Sequence, residues 1–209
     1  MNQVQEVASA EQLALLVRKQ LGTSIHTMQA VLQDPDATNA LVSAAECTAD
    51  AMQKGRKLMV AGNGGSAAGS QHLVAEFVSR LTVDRRALPA IALTVDTSIL
   101  TAISNDYDYQ NVFERQIEAL GQSGDVFLVF STSGNSKNIL KGLVRARAMD
   151  IKTIGFSGNG GGSMAELCDY SIVVPSTVTM NIQECHLALE HIFCMLVEKL
   201  LFGIQFGTQ

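Results

Sequence analysis

Phe130-Ser131-Thr132-Ser133-Gly134-Asn135-Ser136 is the stretch around which the rest of the chain is arranged. The apolar run ahead of it, Asp125 to Phe130, reads as a buried strand. The segment behind it, Lys137 to Met149, sets Ile139, Leu140, Leu143, Val144 and Ala148 at helical spacing. A strand therefore delivers a hydroxyl-rich turn to the start of a helix. Unpaired backbone N–H groups and the positive end of the helix dipole favour an anion there. Ser and Thr hydroxyls donate to phosphate oxygens, and Gly134 lets the backbone come close. One serine in this place would be an ordinary N-cap. Four hydroxyls in the six residues from Ser131 to Ser136 argue for a phosphate cradle.

The same unit recurs on both sides. Lys57 to Ala61 reads as a strand, followed by the loop Gly62-Asn63-Gly64-Gly65-Ser66 and a helix over about 67–81. Ala90 to Leu93 is a second strand, and Asp96 to Ser104 a short helix. Asn105-Asp106-Tyr107-Asp108 is a polar turn before a helix from Val112 to Leu120. After the hydroxyl loop and its helix come a strand from Thr153 to Phe156 and the loop Ser157 to Gly162. Tyr170 to Val174 is the last strand, and a helix of about 181–201 closes the chain. Strands alternating with helices give an α/β fold, a doubly wound five-stranded parallel sheet with ligands outside the carboxyl ends of its strands.

Two helices precede this layer. Ser9-Ala10-Glu11-Gln12 has the form of a capping box opening a helix to about Gln33, ended by Asp34-Pro35-Asp36. A second runs from about Thr38 to Lys54 and stops at Gly55. The apolar positions of the first, Leu13, Leu15, Leu16, Leu21, Ile25, Met28 and Leu32, spread wider than a single core-facing stripe. The expectation is an oligomerisation segment over 1–55 and a sugar-phosphate-binding domain over 56–209 that includes the last helix.

Composition narrows the classes. The 209 residues suit one domain, and 47% hydrophobic content with 3 prolines describes a globular chain. A net charge of −5 gives no support to a nucleic-acid surface. No stretch is long and apolar enough to span a bilayer, and no signal peptide is visible, so no membrane partner is expected. Cys47, Cys168, Cys185 and Cys194 show no CxxC spacing, which fits free thiols in a reducing cytoplasm.

The chemistry-bearing residues sit beside the two loops. The loop from Gly62 to Ser66 is neither GxGxxG nor a P-loop, so nucleotide binding is poorly supported; paired with the hydroxyl loop it makes a two-sided sugar-phosphate pocket. The later Gly158–Gly162 loop lies beside no other candidate chemistry and reads as a turn. His72 and Glu76, four apart on the helix that begins at the glycine loop, share a face and could ligate a metal or pass a proton. The final helix offers a rival pair, His186 and Glu190, with Gln183 and His191. Spacing alone does not rank the two.

Together these residues resemble the sugar-isomerase (SIS) domain family, with its flavodoxin-like fold, and within it the phosphoheptose isomerases. The resemblance covers nearly the whole chain. It is most specific at Gly62 to Ser66 with His72 and Glu76, at Leu88 to Leu93, at Asn105-Asp106, at Ser131 to Ser136, and at Ile182-Gln183-Glu184 with His191. It implies conversion of sedoheptulose 7-phosphate to D-glycero-D-manno-heptose 7-phosphate, the first step of bacterial heptose synthesis for lipopolysaccharide core or other surface glycans. It further implies one zinc per site, held by His72, Glu76, Gln183 and His191. Asn63, Gly64, Gly65, Ser66, Asn105, Asp106, Ser131, Thr132, Ser133 and Ser136 would contact the sugar phosphate, as would Glu76 and Gln183. On the same resemblance His186 falls outside the metal set and Glu190 at no functional position. Some relatives carry an acidic residue where this chain has Met180.

Aldose–ketose isomerisation needs a base near one face of the sugar, a partner acid and a stabiliser of the enediolate oxygen. The assignments are Glu76 as base and His191 as acid–base partner, both catalytic. A rival class is the non-catalytic SIS regulator that binds a replication initiator, which has no chemical need for Glu76 and His191 together. An isomerase of pentose or hexulose phosphates would use similar chemistry, but the Asn-Gly-Gly-Ser form of the first loop disfavours it. Gln183 and His191 are eight residues apart, roughly 12 Å along one helix. Either the last helix starts after Gln183 or the ligands come from different chains. The broad apolar helices favour the latter, in a homotetramer with active sites at subunit interfaces.

Overall fold

The computed structural model describes residues 8–203. Two helices, α1 (Ala10–Leu32) and α2 (Pro35–Gln53), lead into β1 (Leu58–Gly62), α3 (Gly65–Val78), β2 (Ala90–Ala92) and α4 (Thr97–Asp106). A 3-10 turn (Tyr109–Asn111) joins α4 to α5 (Val112–Leu120), followed by β3 (Val126–Ser131), α6 (Lys137–Ala148) and β4 (Lys152–Ser157). A stretch of 3-10 turns (Asn159–Leu167), β5 (Tyr170–Val173) and the long α7 (Thr179–Phe202) complete the chain. The five strands are all parallel in the order β2-β1-β3-β4-β5. This is the expected doubly wound sheet. Its order reverses between β1 and β3, so the loops leaving those two strands flank the crevice where such folds take their ligands.

Strands β1 and β3 are apolar and buried along their whole length because both faces are covered. Their side chains still alternate. Leu58, Val60, Val126, Leu128 and Phe130 face a core shared with α2, α3 and α7. Met59, Ala61, Phe127 and Val129 face the other, with Phe113, Ile117, Ile139 and Leu143 of α5 and α6. Leu41, Ala44, Ala45, Ala49 and Met52 bring α2 into the first core. Among the described residues no helix is long and apolar enough to cross a membrane, and all four cysteines are free thiols.

Helix α1 has the capping box read from its sequence: Gln12 N donates to Ser9 Oγ at 3.2 Å and Ser9 N to Gln12 Oε1 at 2.7 Å. Only Thr27 is buried, and Leu15, Leu16, Val17, Leu21, Ile25 and Leu32 are all more than half exposed. Several boundaries move for local reasons. Asp34 ends α1 but also starts α2, its carboxylate accepting from the N–H groups of Asp36 and Ala37 at 2.9 and 3.2 Å with Pro35 in the first helical position. Helix α3 stops at Val78, not Leu81, because buried Glu198 takes the Leu81 and Thr82 N–H groups at 3.1 and 3.2 Å. Arg85, paired with Glu198 at 2.8 Å, donates to the carbonyls of Glu76 and Phe77 at the same helix end. The polar turn expected at Asn105-Asp106 is instead the last turn of α4.

Candidate active site

The two switch-point loops are tied together by one side chain. Asn63 Nδ2 donates to Asn138 Oδ1 at 3.0 Å, and Asn63 Oδ1 accepts from Asn138 Nδ2 at 2.8 Å and from the Tyr109 hydroxyl at 3.0 Å. Asn138 is buried in the first turn of α6, directly after the hydroxyl loop. Asn63 thus braces the glycine loop against the hydroxyl loop. Beyond it Gly64, at φ +55°, turns the chain into α3 with no side chain capping that helix.

The hydroxyl loop is equally open at its helix. Ser136 is the N-cap of α6 but makes no capping bond; its Oγ lies 3.1 Å from the Oγ of buried Ser131. Asn135 N donates to Ser133 Oγ at 3.2 Å and Gly134 N to Ser131 O at 3.1 Å, curling the loop around a set of hydroxyls and first-turn N–H groups. Such a nest suits a phosphate.

The sequence reading set the Gly158–Gly162 loop apart from this chemistry, and that is corrected here. Gly158 N donates to Thr132 O at 3.2 Å, Met164 N to Gly134 O at 2.9 Å and Ser163 N to Asn135 Oδ1 at 3.0 Å. Gly160, Gly161 and Gly162 all have positive φ, which bends the backbone under the cradle. Gly134, at φ +65°, fits because a Cβ there would lie 2.5 Å from the Gly161 carbonyl carbon. The third glycine loop is the floor of the hydroxyl loop.

Helices α3 and α7 run side by side from this point. Gly65 faces Gln183, whose amide nitrogen would lie 2.7 Å from a Cβ at 65, and His72 faces His191 about two turns further on. His72 Nε2 lies 2.9 Å from His191 Nε2 and 3.5 Å from Glu76 Oε1. The ligand atoms of His72, Glu76 and His191 all lie within 4.8 Å of one another. Two imidazole nitrogens and a carboxylate oxygen at such separations form a donor set that could hold a metal ion. One chain supplies all three residues, so no second copy is needed for them. Helix α7 is continuous from Thr179, which removes the option that it begins after Gln183. Gln183 stands instead at the glycine-loop end of α7.

A cavity of about 310 Å³ opens between these helices, lined among others by Gly65, Ser66, His72, Phe130, Gln183 and Glu190. Asn105 and Asp106 do not line it; Asn105 Nδ2 donates to Asp106 Oδ1 at 2.8 Å on the exposed end of α4. His186 is a buried histidine 3.2 Å from the Ser157 carbonyl, packed against Phe130 and Phe156. Burial lowers its pKa to about 4 and keeps it neutral.

Glu190 is the residue that sequence reasoning set aside. It is 1% exposed, and its Oε1 has no hydrogen-bond partner among the described residues while lying 4.0 Å from His72 Nε2. Burial, then the neighbouring Glu76 carboxylate, raises its pKa to about 8. The signal was the His186–Glu190 spacing: both residues line the cavity, but His186 turns to the Ser157 carbonyl and Phe130 while Glu190 turns to His72. Only helix packing decides that.

Comparison with known proteins identifies the family of the chain. The family model described as SIS domain matches residues 24–158. A phosphoheptose isomerase of Clostridium acetobutylicum is 49% identical over 187 residues, 90% of this chain and 95% of that one. Phosphoheptose isomerase 2 of Campylobacter jejuni is 50% identical over 199 residues, 95% and 99% of the two chains. Among solved structures, the phosphoheptose isomerase of Neisseria gonorrhoeae superposes with a TM-score of 0.85 at 37% identity, covering 90% of this chain and 99% of that one. That of Francisella tularensis gives 0.83 at 32% identity, covering 88% and 96%.

Proposed function

The chain belongs to the SIS domain family and, within it, to the phosphoheptose isomerases, and from that premise we propose how its residues work. The reaction is the isomerisation of sedoheptulose 7-phosphate to D-glycero-D-manno-heptose 7-phosphate through an enediol. The observation that carries the reading is the meeting of His72, Glu76 and His191, with His72 also lining a cavity that reaches Gly65 and Ser66 at the glycine loop and Phe130 near the end of β3. A binding-only protein has no use for a base and an acid held together in this way.

Ser131, Thr132, Ser133 and Ser136, with the first-turn N–H groups of α6, receive the phosphate. Gly64, Gly65 and Ser66 face the sugar from the glycine loop, Asn63 holds the two loops in register, and Gln183 meets the sugar at the loop end of the cavity. Asn105 and Asp106, at the end of α4, would contact the sugar phosphate from that side. Glu76 takes the carbon-bound proton and returns it to the neighbouring carbon, while His191 moves the proton between the two oxygens. His72, Glu76 and His191 would hold zinc, which when bound supplies a Lewis acid for the carbonyl. A carboxylate that ligates a metal is a weaker base, so the proton-abstracting role requires a free oxygen on Glu76.

The protein works as a homotetramer with active sites at subunit interfaces, the exposed apolar side of α1 lying against another copy. Its four free thiols suit the cytoplasm. The test is an isomerase assay with sedoheptulose 7-phosphate, before and after chelation. Turnover that disappears with zinc and returns when zinc is restored is expected. No turnover by metal-replete protein would reject the reaction, and unchanged turnover after verified metal removal would reject the zinc.

A further inference from the structure

We propose that Glu190 is a further substrate-binding residue of this site, its carboxyl holding a hydroxyl at the reacting end of the open-chain sugar. The inference rests on the isomerase reading above and names a contact which that reading does not contain. Three observations support it.

The first is an orphaned acceptor. Glu190 is 1% exposed, and its Oε1 bonds nothing among the described residues, although it lines the cavity that also holds His72 and Gln183. Buried polar atoms are nearly always satisfied, and one left without a bond on a residue that lines a cavity marks the place of an absent partner. The second is position. Oε1 lies 4.0 Å from His72 Nε2, whereas among the described histidines, cysteines and carboxylates the compact donor set is His72, Glu76 and His191. Glu190 therefore flanks the cluster rather than joining it. A sugar whose reacting carbons lie over Glu76 and His191 brings its adjacent oxygens within reach of this carboxyl.

The third observation is the room made for it. On the facing helix, a Cβ at Gly69 would lie 3.4 Å from Glu190 Oε2, in ordinary contact, so side chains that extend beyond a methyl group at 69 would crowd the carboxyl. The bare backbone of α3 leaves Glu190 its space beside the cavity. An open-chain heptose phosphate presents a run of hydroxyls, each able to donate to a carboxyl oxygen. Inorganic phosphate, held at the hydroxyl loop, offers Glu190 nothing.

The experiment uses the full-length, metal-replete protein with Glu190→Leu, a substitution of similar volume that removes the polar group, and Glu190→Gln, which keeps a donor and an acceptor. Glu190→Leu should retain its zinc content and its melting temperature, because no side-chain hydrogen bond among the described residues is lost. Its kcat/KM for sedoheptulose 7-phosphate should fall at least 100-fold, and that of Glu190→Gln about tenfold or less. In a Glu76→Gln background, calorimetry should show sedoheptulose 7-phosphate bound at least tenfold more weakly when Glu190→Leu is added, with inorganic phosphate bound equally well. Glu190→Leu activity within threefold of the parent would overturn the proposal. So would a lower melting temperature or lost zinc in that variant, which would assign Glu190 to the scaffold or the metal. A parent protein that binds the sugar without isomerising it would sink the assigned reaction instead, and the calorimetric comparison would still decide the role of Glu190.

Discussion

Replacing Gly134 by alanine tests whether the third glycine loop sets the shape of the phosphate cradle. Gly134 has φ +65°, where an L-residue costs about 1–2 kcal/mol. The added Cβ would also stand 2.5 Å from the Gly161 carbonyl carbon and 3.0 Å from Gly162 N, all backbone, so the two loops must separate by roughly an ångström. Separation strains the bonds from Met164 N to Gly134 O and from Gly158 N to Thr132 O, each worth about 1 kcal/mol. The expected loss of stability is about 3 kcal/mol. The functional effect is larger in kind. If two hydroxyl bonds to phosphate lose alignment, at about 1.5 kcal/mol or more each, binding weakens by roughly 150-fold. Gly160→Ala is the control: φ is +72°, but nothing lies within 4 Å of the new Cβ. It should show only the backbone cost of about 1–2 kcal/mol and normal binding. The measurements are melting temperature, KM for sedoheptulose 7-phosphate and inhibition by inorganic phosphate. If the two variants behave alike in all three, the contact between the loops does not shape the cradle.

Three other outcomes follow from the geometry. Mixing inactive Glu76→Gln and His191→Ala proteins under subunit exchange should restore no activity, since both residues belong to one chain's cluster; recovery in verified hybrids would show that they act across a subunit boundary. Glu198→Ala should lower stability by about 3–5 kcal/mol, because it strands a buried Arg85 and frees the end of α3. Burial alone would push the Glu198 carboxyl up, but hydrogen bonds from Thr82, Leu81 and Arg85 hold it below its ordinary value, and a urea midpoint unchanged by the substitution would contradict that role. His186 titrates near 4 in the fold and near 6.5 when unfolded, so its neutral form stabilises the protein fully above 6.5 and progressively less as pH falls towards 4. The loss at pH 5 is about 2 kcal/mol. His186→Leu should remove that part of the acid dependence of the urea midpoint, and an identical slope with and without the histidine would refute it.

The parts of this protein legible in its sequence are those fixed by local chemistry. The strand runs, the capping box at Ser9 and the hydroxyl loop each announce themselves because their cause lies within a few residues. Boundaries failed where a distant side chain intervenes. Glu198 and Arg85 end α3 from more than a hundred and from about seven residues away respectively, and no window around Leu81 contains the carboxylate that holds its N–H. The site divides the same way. His72 and Glu76 share a helix face, so their pairing follows from spacing, whereas the arrival of His191 depends on how α7 lies against α3.

The third glycine loop and Glu190 mark the limit for one reason. A motif is recognised by what it holds, and each of these owes its part to a neighbour far along the chain. Gly160, Gly161 and Gly162 make an ordinary turn until Met164 N and Ser163 N are seen bonded to the hydroxyl loop. Glu190 lies one residue from His191, about 100° around the helix, so a sequence reading assigns it to another face. That inference omits the reach of a glutamate and the missing side chain at Gly69, 121 residues earlier. Together they let Glu190 line the cavity while its neighbour His191 stands in the cluster with His72 and Glu76. The short residue on the facing helix is therefore what lets α7 bring that carboxyl close.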